Sequence, residues 1–311
     1  MKIEQNHENL YYNENEIVTA LYQSLLQREP DVEGLKWHSQ SLRDRTVSLQ
    51  QKIGEFVRSP EFCAKAALLL RHTLQSLLES HDKEYVCRGI VNYLRSILPD
   101  KNTHPVRSKN DFLKQLDPNS RILDVGCGND SPKITKNILP ECYYIGIDVG
   151  DYNQSYQSLA DEYIIVDLDS FVKAIDAYSS GVDAVISNHN VEHCCDRYGV
   201  IASMAKTLKV GGMIYIAYPS PESVEFPSRR RTLNYYDDPS HVGDPPDFGR
   251  IISILVANGL RILYASSIYQ PPIPWIEGLG NLDASERDGD LKDGTWCYWG
   301  FESVICAERV S

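Results

Sequence analysis

The sequence predicts an α/β protein: a mostly parallel sheet with helices on both faces, preceded by an all-α domain. Three observations carry this. Helical periodicity alone runs from about residue 15 to 100, and short apolar runs alternate with helical ones from about residue 106 onward. Between them, Pro99-Asp100-Lys101-Asn102-Thr103-His104-Pro105 is a polar, proline-bearing linker. The expected domains are therefore 1–100 and 101–311.

In the first domain Ile17, Leu21, Leu25 and Leu26 recur at helical spacing, followed by Ile53, Phe56 and Val57, then Ala66, Leu69, Leu70, Leu74, Leu77 and Leu78. Pro30 and Gly34 punctuate the first two helices, and Ser59-Pro60-Glu61 reads as a cap with proline at the first helical position. The stretch Leu21-Tyr22-Gln23-Ser24-Leu25-Leu26-Gln27-Arg28-Glu29-Pro30-Asp31-Val32-Glu33-Gly34-Leu35-Lys36-Trp37, with Phe56-Val57-Arg58-Ser59-Pro60-Glu61-Phe62 after it, resembles a bacterial helical domain of unknown function. That domain is similar to the phycobilisome linker fold. The resemblance implies a packing appendage, one that docks a protein partner or mediates oligomerisation. It hints at a saccharide context and implies no chemistry.

Seven strands are expected in the second domain, at Arg121–Val125, Tyr143–Asp148, Tyr163–Val166, Ala184–Ser187, Met213–Tyr218, Leu260–Ala265 and Phe301–Ala307. Strands spaced by helices favour a parallel sheet covered on both sides. In such a sheet ligands bind beyond the carboxyl ends of the strands, where strand order reverses. The first strand runs into Asp124-Val125-Gly126-Cys127-Gly128, and Gly126 and Gly128 let the backbone turn sharply against a ligand. Ser131 stands where the third glycine of a dinucleotide fingerprint would fall, and Asp124 repels a pyrophosphate but suits an amino group. Asp148 ends the second strand about 20 residues beyond the turn, placed to accept ribose hydroxyl protons. Asp167 ends the third strand with Leu168 beside it, where an adenine amino group can be met.

"ILDVGCG", "YIGID" and "VISNHNVEH", followed by Leu208-Lys209-Val210-Gly211-Gly212-Met213-Ile214-Tyr215-Ile216, stand in one order over residues 106 to 307. Together they resemble a class I S-adenosylmethionine (SAM)-dependent methyltransferase, a Rossmann-like seven-strand fold whose last strand runs antiparallel. The resemblance implies SAM as cofactor. By it, Asp124, Gly126, Cys127 and Gly128 line the methionine end, Asp148 and Val149 the ribose, Asp167 and Leu168 the adenine, and Asn188 lies beneath the cofactor.

His189, Glu192 and His193 spell H-x-x-E-H, an inverted zincin pattern in which two histidines at i and i+4 of a helix clasp zinc. The position after the fourth strand favours the methyltransferase pattern S-x-x-x-x-E-H, and no metal is expected. Methyl transfer from a sulfonium is an in-line displacement, so the protein's work is alignment and, where needed, deprotonation of the acceptor. The candidate bases are His189, His193 and His241.

Between the fifth strand and the helix of Phe248–Asn258 lies a long polar and aromatic insert, and long structured loops are usually functional. Arg229, Arg230 and Arg231 read either as a solvated loop or as groups that meet a phosphate or carboxylate, and Tyr235, Tyr236 and Trp275 either stack on a sugar ring or pack the insert. Asp238 is expected to orient His241 or to join a metal site, although no clear ligand set stands out. The insert resembles that of small-molecule and sugar methyltransferases.

Net charge is −12 and the isoelectric point near 5.1, which argues against a broad nucleic-acid face. No stretch of about 18 apolar residues predicts a membrane span. Eight cysteines without a CxxC pair, after a polar N-terminus, read as reduced thiols in the cytoplasm. The expected function is O-methylation of a small-molecule or glycan acceptor in bacterial polysaccharide biosynthesis. The alternatives are an N- or C-methyltransferase, or a silent SAM-binding scaffold.

Overall fold

A computed structural model describes residues 13–26, 28–49, 52, 55, 84, 87–92 and 108–311. The predicted helical positions Ile53, Phe56, Val57 and Ala66 to Leu78, the Ser59 cap and the linker at 99–105 lie outside the described residues.

The chain divides into two compact units, 1–81 and 82–311. The second begins earlier than the linker position because residues 87–92 are helical and pack against it. A Cβ on Gly280 would stand 2.9 Å from the Cβ of Cys87. The first unit contains α1 (Glu14–Leu26) and α2 (Val32–Arg43). Val18, Tyr22 and Leu26 are buried against Leu35 and Leu42. Asp31 caps α2 by accepting from the Gly34 amide at 2.7 Å. That amide lowers the pKa of the Asp31 carboxyl.

The second unit is a seven-strand sheet: β1 (Arg121–Val125), β2 (Tyr143–Asp148), β3 (Glu162–Ile165), β4 (Val182–Asn188), β5 (Leu208–Pro219), β6 (Leu260–Tyr269) and β7 (Glu302–Arg309). The order is β3-β2-β1-β4-β5-β7-β6, with β7 antiparallel to both its neighbours and the other pairs parallel. All seven predicted strands form. β4 and β5 begin earlier than expected, because Val182 pairs with Leu208 across a bulge.

Alternation along each strand divides the apolar side chains between two cores. Leu123, Ile145, Val185 and Ile216 face α5 (Phe171–Asp176), α6 (Arg197–Thr207) and α7 (Phe248–Ala257), meeting Phe171, Met204 and Leu255. Ile122, Tyr144, Ile186 and Ala217 face the other way, onto Phe112 and Leu113 of α3 (Lys109–Leu113) and Leu139 after α4 (Ser131–Ile138). Helices α8 (Pro272–Asp288) and α9 (Thr295–Trp299) precede β7. Strand order reverses between β1 and β4, so the chain ends leaving those two strands bound the crevice where ligands bind. Among the described residues no helix is long and apolar enough to cross a membrane.

Candidate active site

β1 delivers Asp124 into the interior with 1 % of its surface exposed. Its Oδ2 accepts from Tyr144 Oη at 2.8 Å, Ser131 Oγ at 2.5 Å and Lys109 Nζ at 3.3 Å. Ser131, the residue in place of a third glycine, thus supplies a hydroxyl that ties α4 to β1. Asp124 Oδ1 is buried with no partner among the described residues.

The turn itself is held by backbone. Gly126 adopts φ +80°, where any Cβ is strained, and a Cβ there would lie 2.5 Å from Asn190 Cβ. Asn129 and Asp130 follow at φ 53° and 56°, a left-handed region their short polar side chains tolerate. Asp148 Oδ2 accepts from the Gly128 amide at 2.9 Å and its Oδ1 from the Val149 amide at 2.7 Å, so the carboxylate at the end of β2 clips the turn to that strand. Burial raises the pKa of the Asp148 carboxyl despite these amides. Cys127 does not face the crevice: its Sγ would lie 2.7 Å from a Cβ on Gly146, and burial drives its thiol far up. Only its backbone is available to a ligand.

The turn is more covered than the sequence leads one to expect. No α-helix forms between β2 and β3, only a 3-10 turn at Gln157–Leu159, and residues 150–156 fold back over the glycines. The Asn129 amide donates to Tyr152 O at 2.7 Å, Gln154 Nε2 to Cys127 O at 3.0 Å, and the Ser155 amide to Asp130 Oδ1 at 2.8 Å. A Cβ on Gly128 would meet Tyr152 O at 2.9 Å. Asp167 and Leu168 are exposed at the tip after β3, where Asp167 caps a 3-10 turn through the Ser170 amide at 2.8 Å. Asn188 closes β4, half-buried.

The chain turns off β4 at His189, at φ 53°, and enters a 3-10 turn over Val191–His193 rather than an α-helix. His189 and His193 therefore do not form an i, i+4 clasp. The His189 ring is held between two carboxylates, with Nδ1 3.1 Å from Glu192 Oε1 and Nε2 2.8 Å from Glu302 Oε1. Burial works against its charge, but the two carboxylates outweigh it and push the imidazole up to about 10. Both ring nitrogens are occupied, so His189 offers no lone pair to an acceptor.

His193 pairs instead with His241, their rings 4.9 Å apart at 52°. Three hydrogen bonds fasten the insert carrying His241 onto the segment after β4. The Val242 amide donates to Glu192 O at 2.9 Å, and the Arg197 guanidinium donates to Val242 O and, at 2.6 Å, to Asp244 O. Asp238 receives Ser240 Oγ at 2.5 Å, and Ser240 Oγ stands 3.0 Å from His193 Nδ1. The Asp238 carboxylate so orients His193 through Ser240, and it is the Asp238 carbonyl that meets His241, accepting from its backbone amide at 3.2 Å. His241 Nδ1 lies 2.5 Å from Tyr235 O, and burial lowers the imidazole's pKa.

The expected aromatic platform is mostly packing. Tyr235 is fully buried, and Trp275 is buried and stacked on Tyr298 at 5.4 Å; Tyr236 alone of the three is exposed. The arginines serve the fold as well: Arg231 pairs with Asp290 at 3.2 Å and Arg230 donates to Asp288 O at 3.2 Å. Glu302, Arg197 and Ser240 are contributors that sequence reasoning missed. Glu302 lies 113 residues from His189, and only the antiparallel seating of β7 beside β5 joins them.

Residues 123–216 match the family described as "Methyltransferase domain", and residues 5–66 match "Domain of unknown function (DUF4214)". Residues 123–216 thus form a methyltransferase domain. Domains of this class take SAM as methyl donor. A 27-O-demethylrifamycin SV methyltransferase from Amycolatopsis mediterranei is 24% identical over 120 residues, 35% of this chain and 44% of that protein. A sterol 24-C-methyltransferase from Debaryomyces hansenii is 31% identical over 104 residues, 32% of this chain and 28% of that protein. The chain thus spans less than half the length of either curated relative. Among solved structures, a SAM-dependent methyltransferase from Archaeoglobus fulgidus is 18% identical with a TM-score of 0.41, covering 72% of this chain and 94% of that one.

The methyltransferase turn suits such a cofactor in one respect and needs movement in another. Among the described residues a buried carboxylate oxygen without a donor, Asp124 Oδ1, and a buried amide nitrogen without an acceptor, Asn190 Nδ2, belong to the two segments that meet at the Gly126 turn. An amino-acid end supplies both an ammonium and a carboxylate. A nucleoside end directed to Asp148 would have to displace the cover formed by residues 150–156.

Proposed function

We propose that this chain is a methyltransferase that uses SAM to methylate a hydroxyl of a saccharide or related polar metabolite, within bacterial polysaccharide biosynthesis. SAM supplies the methyl group as an electrophile on a sulfonium. In this reading Asp124 and the Gly126–Gly128 backbone take the amino-acid end, Asp148 and Val149 the ribose, and Asp167 and Leu168 the adenine. Asn188 supports the cofactor from below. The acceptor lies against the β4 exit, where His193 and His241 present ring nitrogens and Glu302 and Glu192 hold His189 in place. The reaction is cytoplasmic in this reading, in keeping with free thiols at all seven described cysteines.

The observation that carries the proposal is adjacency. Asn190 packs on Gly126 at the cofactor turn, while Glu192 and His193, two and three residues on, belong to the polar cluster. A hydroxyl acceptor needs such polar groups within reach of the methyl; a carbon acceptor has less use for them. Labelled SAM offered with nucleotide sugars and extracted surface glycans tests this, and label in an O-methyl sugar is the expected result. The covered turn favours one second reading, a silent scaffold. Calorimetric titration separates them, since no SAM uptake at hundreds of micromolar would leave only the scaffold.

A further inference from the structure

We infer that Glu192, His193 and His241 form a binding site for a divalent transition-metal ion at the acceptor side of the crevice. One donor atom from each residue lies within 4.8 Å of the other two. An ion about 2.0–2.2 Å from each donor closes that spread with small side-chain rotations. Two imidazoles and a carboxylate with further positions open to solvent or substrate make the ligand set of catalytic zinc and non-haem iron sites.

Three independent features of the cluster point to a cation. Glu192 is fully buried, yet its Oε2 has no hydrogen-bond partner among the described residues. His189 meets only the other oxygen, Oε1, so Oε2 still calls for a donor or a cation. Both imidazoles, moreover, are fixed in one tautomer. Tyr235 O can only accept, so the His241 nitrogen beside it, Nδ1, carries the proton. Ser240 Oγ spends its proton on Asp238, so toward His193 Nδ1 it accepts too. Each ring therefore keeps Nε2 as a lone pair. Metal-binding histidines are oriented in this way, by donating the other ring N–H to a carbonyl or a carboxylate-backed group.

The donor chemistry selects the ion. Two nitrogens and one oxygen suit zinc, manganese, iron or cobalt, whereas magnesium and calcium prefer all-oxygen shells. A cation here lowers the pKa of a hydroxyl bound to it and orients a polyhydroxylated acceptor toward the cofactor turn. That role rests on the methyltransferase reading above; the metal site does not.

The test uses the full chain, stripped of metal and free of any affinity tag. Zinc titration is followed by calorimetry and cobalt titration by visible absorption. The expected result is one saturable site per chain with a nitrogen- and oxygen-ligated cobalt spectrum. Losing an outer-shell partner costs about 10- to 100-fold in affinity, so S240A falls in that range and H193A, H241A and E192Q lose at least as much. C195S, which removes the exposed neighbouring thiol, binds as the parent does. SAM titration on each variant reports that the fold survives.

No saturable uptake overturns the proposal, as does uptake that persists in the H193A/H241A double variant. A thiolate charge-transfer band that vanishes in C195S overturns it too, as does magnesium binding in preference to zinc. Zinc uptake without SAM uptake keeps the metal site and sinks the methyltransferase reading. SAM uptake without zinc uptake does the reverse.

Discussion

The glycine turn and the imidazole cluster stand at the ends of neighbouring strands, β1 and β4, but opposite means assemble them. The turn is one contiguous segment, Asp124 to Ser131, whose shape comes mainly from backbone, with Gly126 at φ +80° and the Gly128 amide clipped to Asp148, while the Ser131 hydroxyl ties its end to Asp124. The cluster joins side chains from two segments. Glu192 and His193 come from the β4 exit, and His241 from an insert anchored by Arg197 and the Val242 amide. A site made of backbone is damaged by adding atoms. A site made of side chains is damaged by removing them.

The largest expected effect follows from the buried carboxylate beneath the turn. Asp124 Oδ2 takes three donors, one of them a lysine, and its charge sits in the interior. Breaking a buried charge pair costs about 3–5 kcal/mol. D124N should therefore lower unfolding stability by about that amount, measured by urea denaturation. A loss below about 1 kcal/mol would mean that the turn does not depend on this anchor.

G126A adds one methyl group to the backbone-built site. The left-handed conformation costs an alanine about 1–2 kcal/mol, and the new Cβ also strikes Asn190. Affinity for SAM should fall by about 2–3 kcal/mol. N190A in the G126A background restores the collision part and leaves the conformational part. Equal affinities for G126A and the double variant would show that Asn190 gives way freely.

Asp148 tests the removal side of the same region. D148A should weaken SAM binding by about 1.5–3 kcal/mol, the scale of hydrogen bonds to a charged group, read by calorimetry. An unchanged affinity would show that the carboxylate serves only the Gly128 and Val149 amides it already holds.

These two regions also differ in how far the sequence announces them. Strand positions, order-reversal crevice and turn were legible because short apolar runs and glycine placement are local signals, and a strand formed over each of the seven predicted runs, with β4 and β5 starting earlier. The cover over the turn was not legible: nothing in residues 149–156 marks a loop that folds back instead of a helix. Glu302 and Ser240 were invisible for another reason. A carboxylate opening β7 and a serine in a loop acquire meaning only when the sheet order sets them beside His189 and His193. The aromatic insert misled in the reverse direction. Tyr235 and Trp275 have the composition of a sugar platform, but burying a large ring in a core gains more than exposing it.

The smallest expected effect tests whether the turn is insulated from the rest of β2. At the strand's opposite end, Asp161 Oδ2 accepts from Lys136 Nζ and from the Tyr144 amide, each at 2.7 Å. Burial works to raise its pKa, but Lys136 and the amide prevail and hold it below the ordinary carboxylate range. A group depressed in the folded state contributes stability that is complete above its unfolded pKa, about 3.9, and lost as pH falls through the folded value. D161N should therefore cost about 1 kcal/mol at neutral pH and flatten the acid limb of the stability profile below about pH 4. Affinity for SAM should not move, because the register from Tyr143 to Ile147 along β1 is fixed by backbone ladder bonds independent of Asp161. A drop in cofactor affinity in D161N would mean that β2 transmits strain along its length to Asp148, and that the turn owes its shape to the whole strand rather than to its own amides.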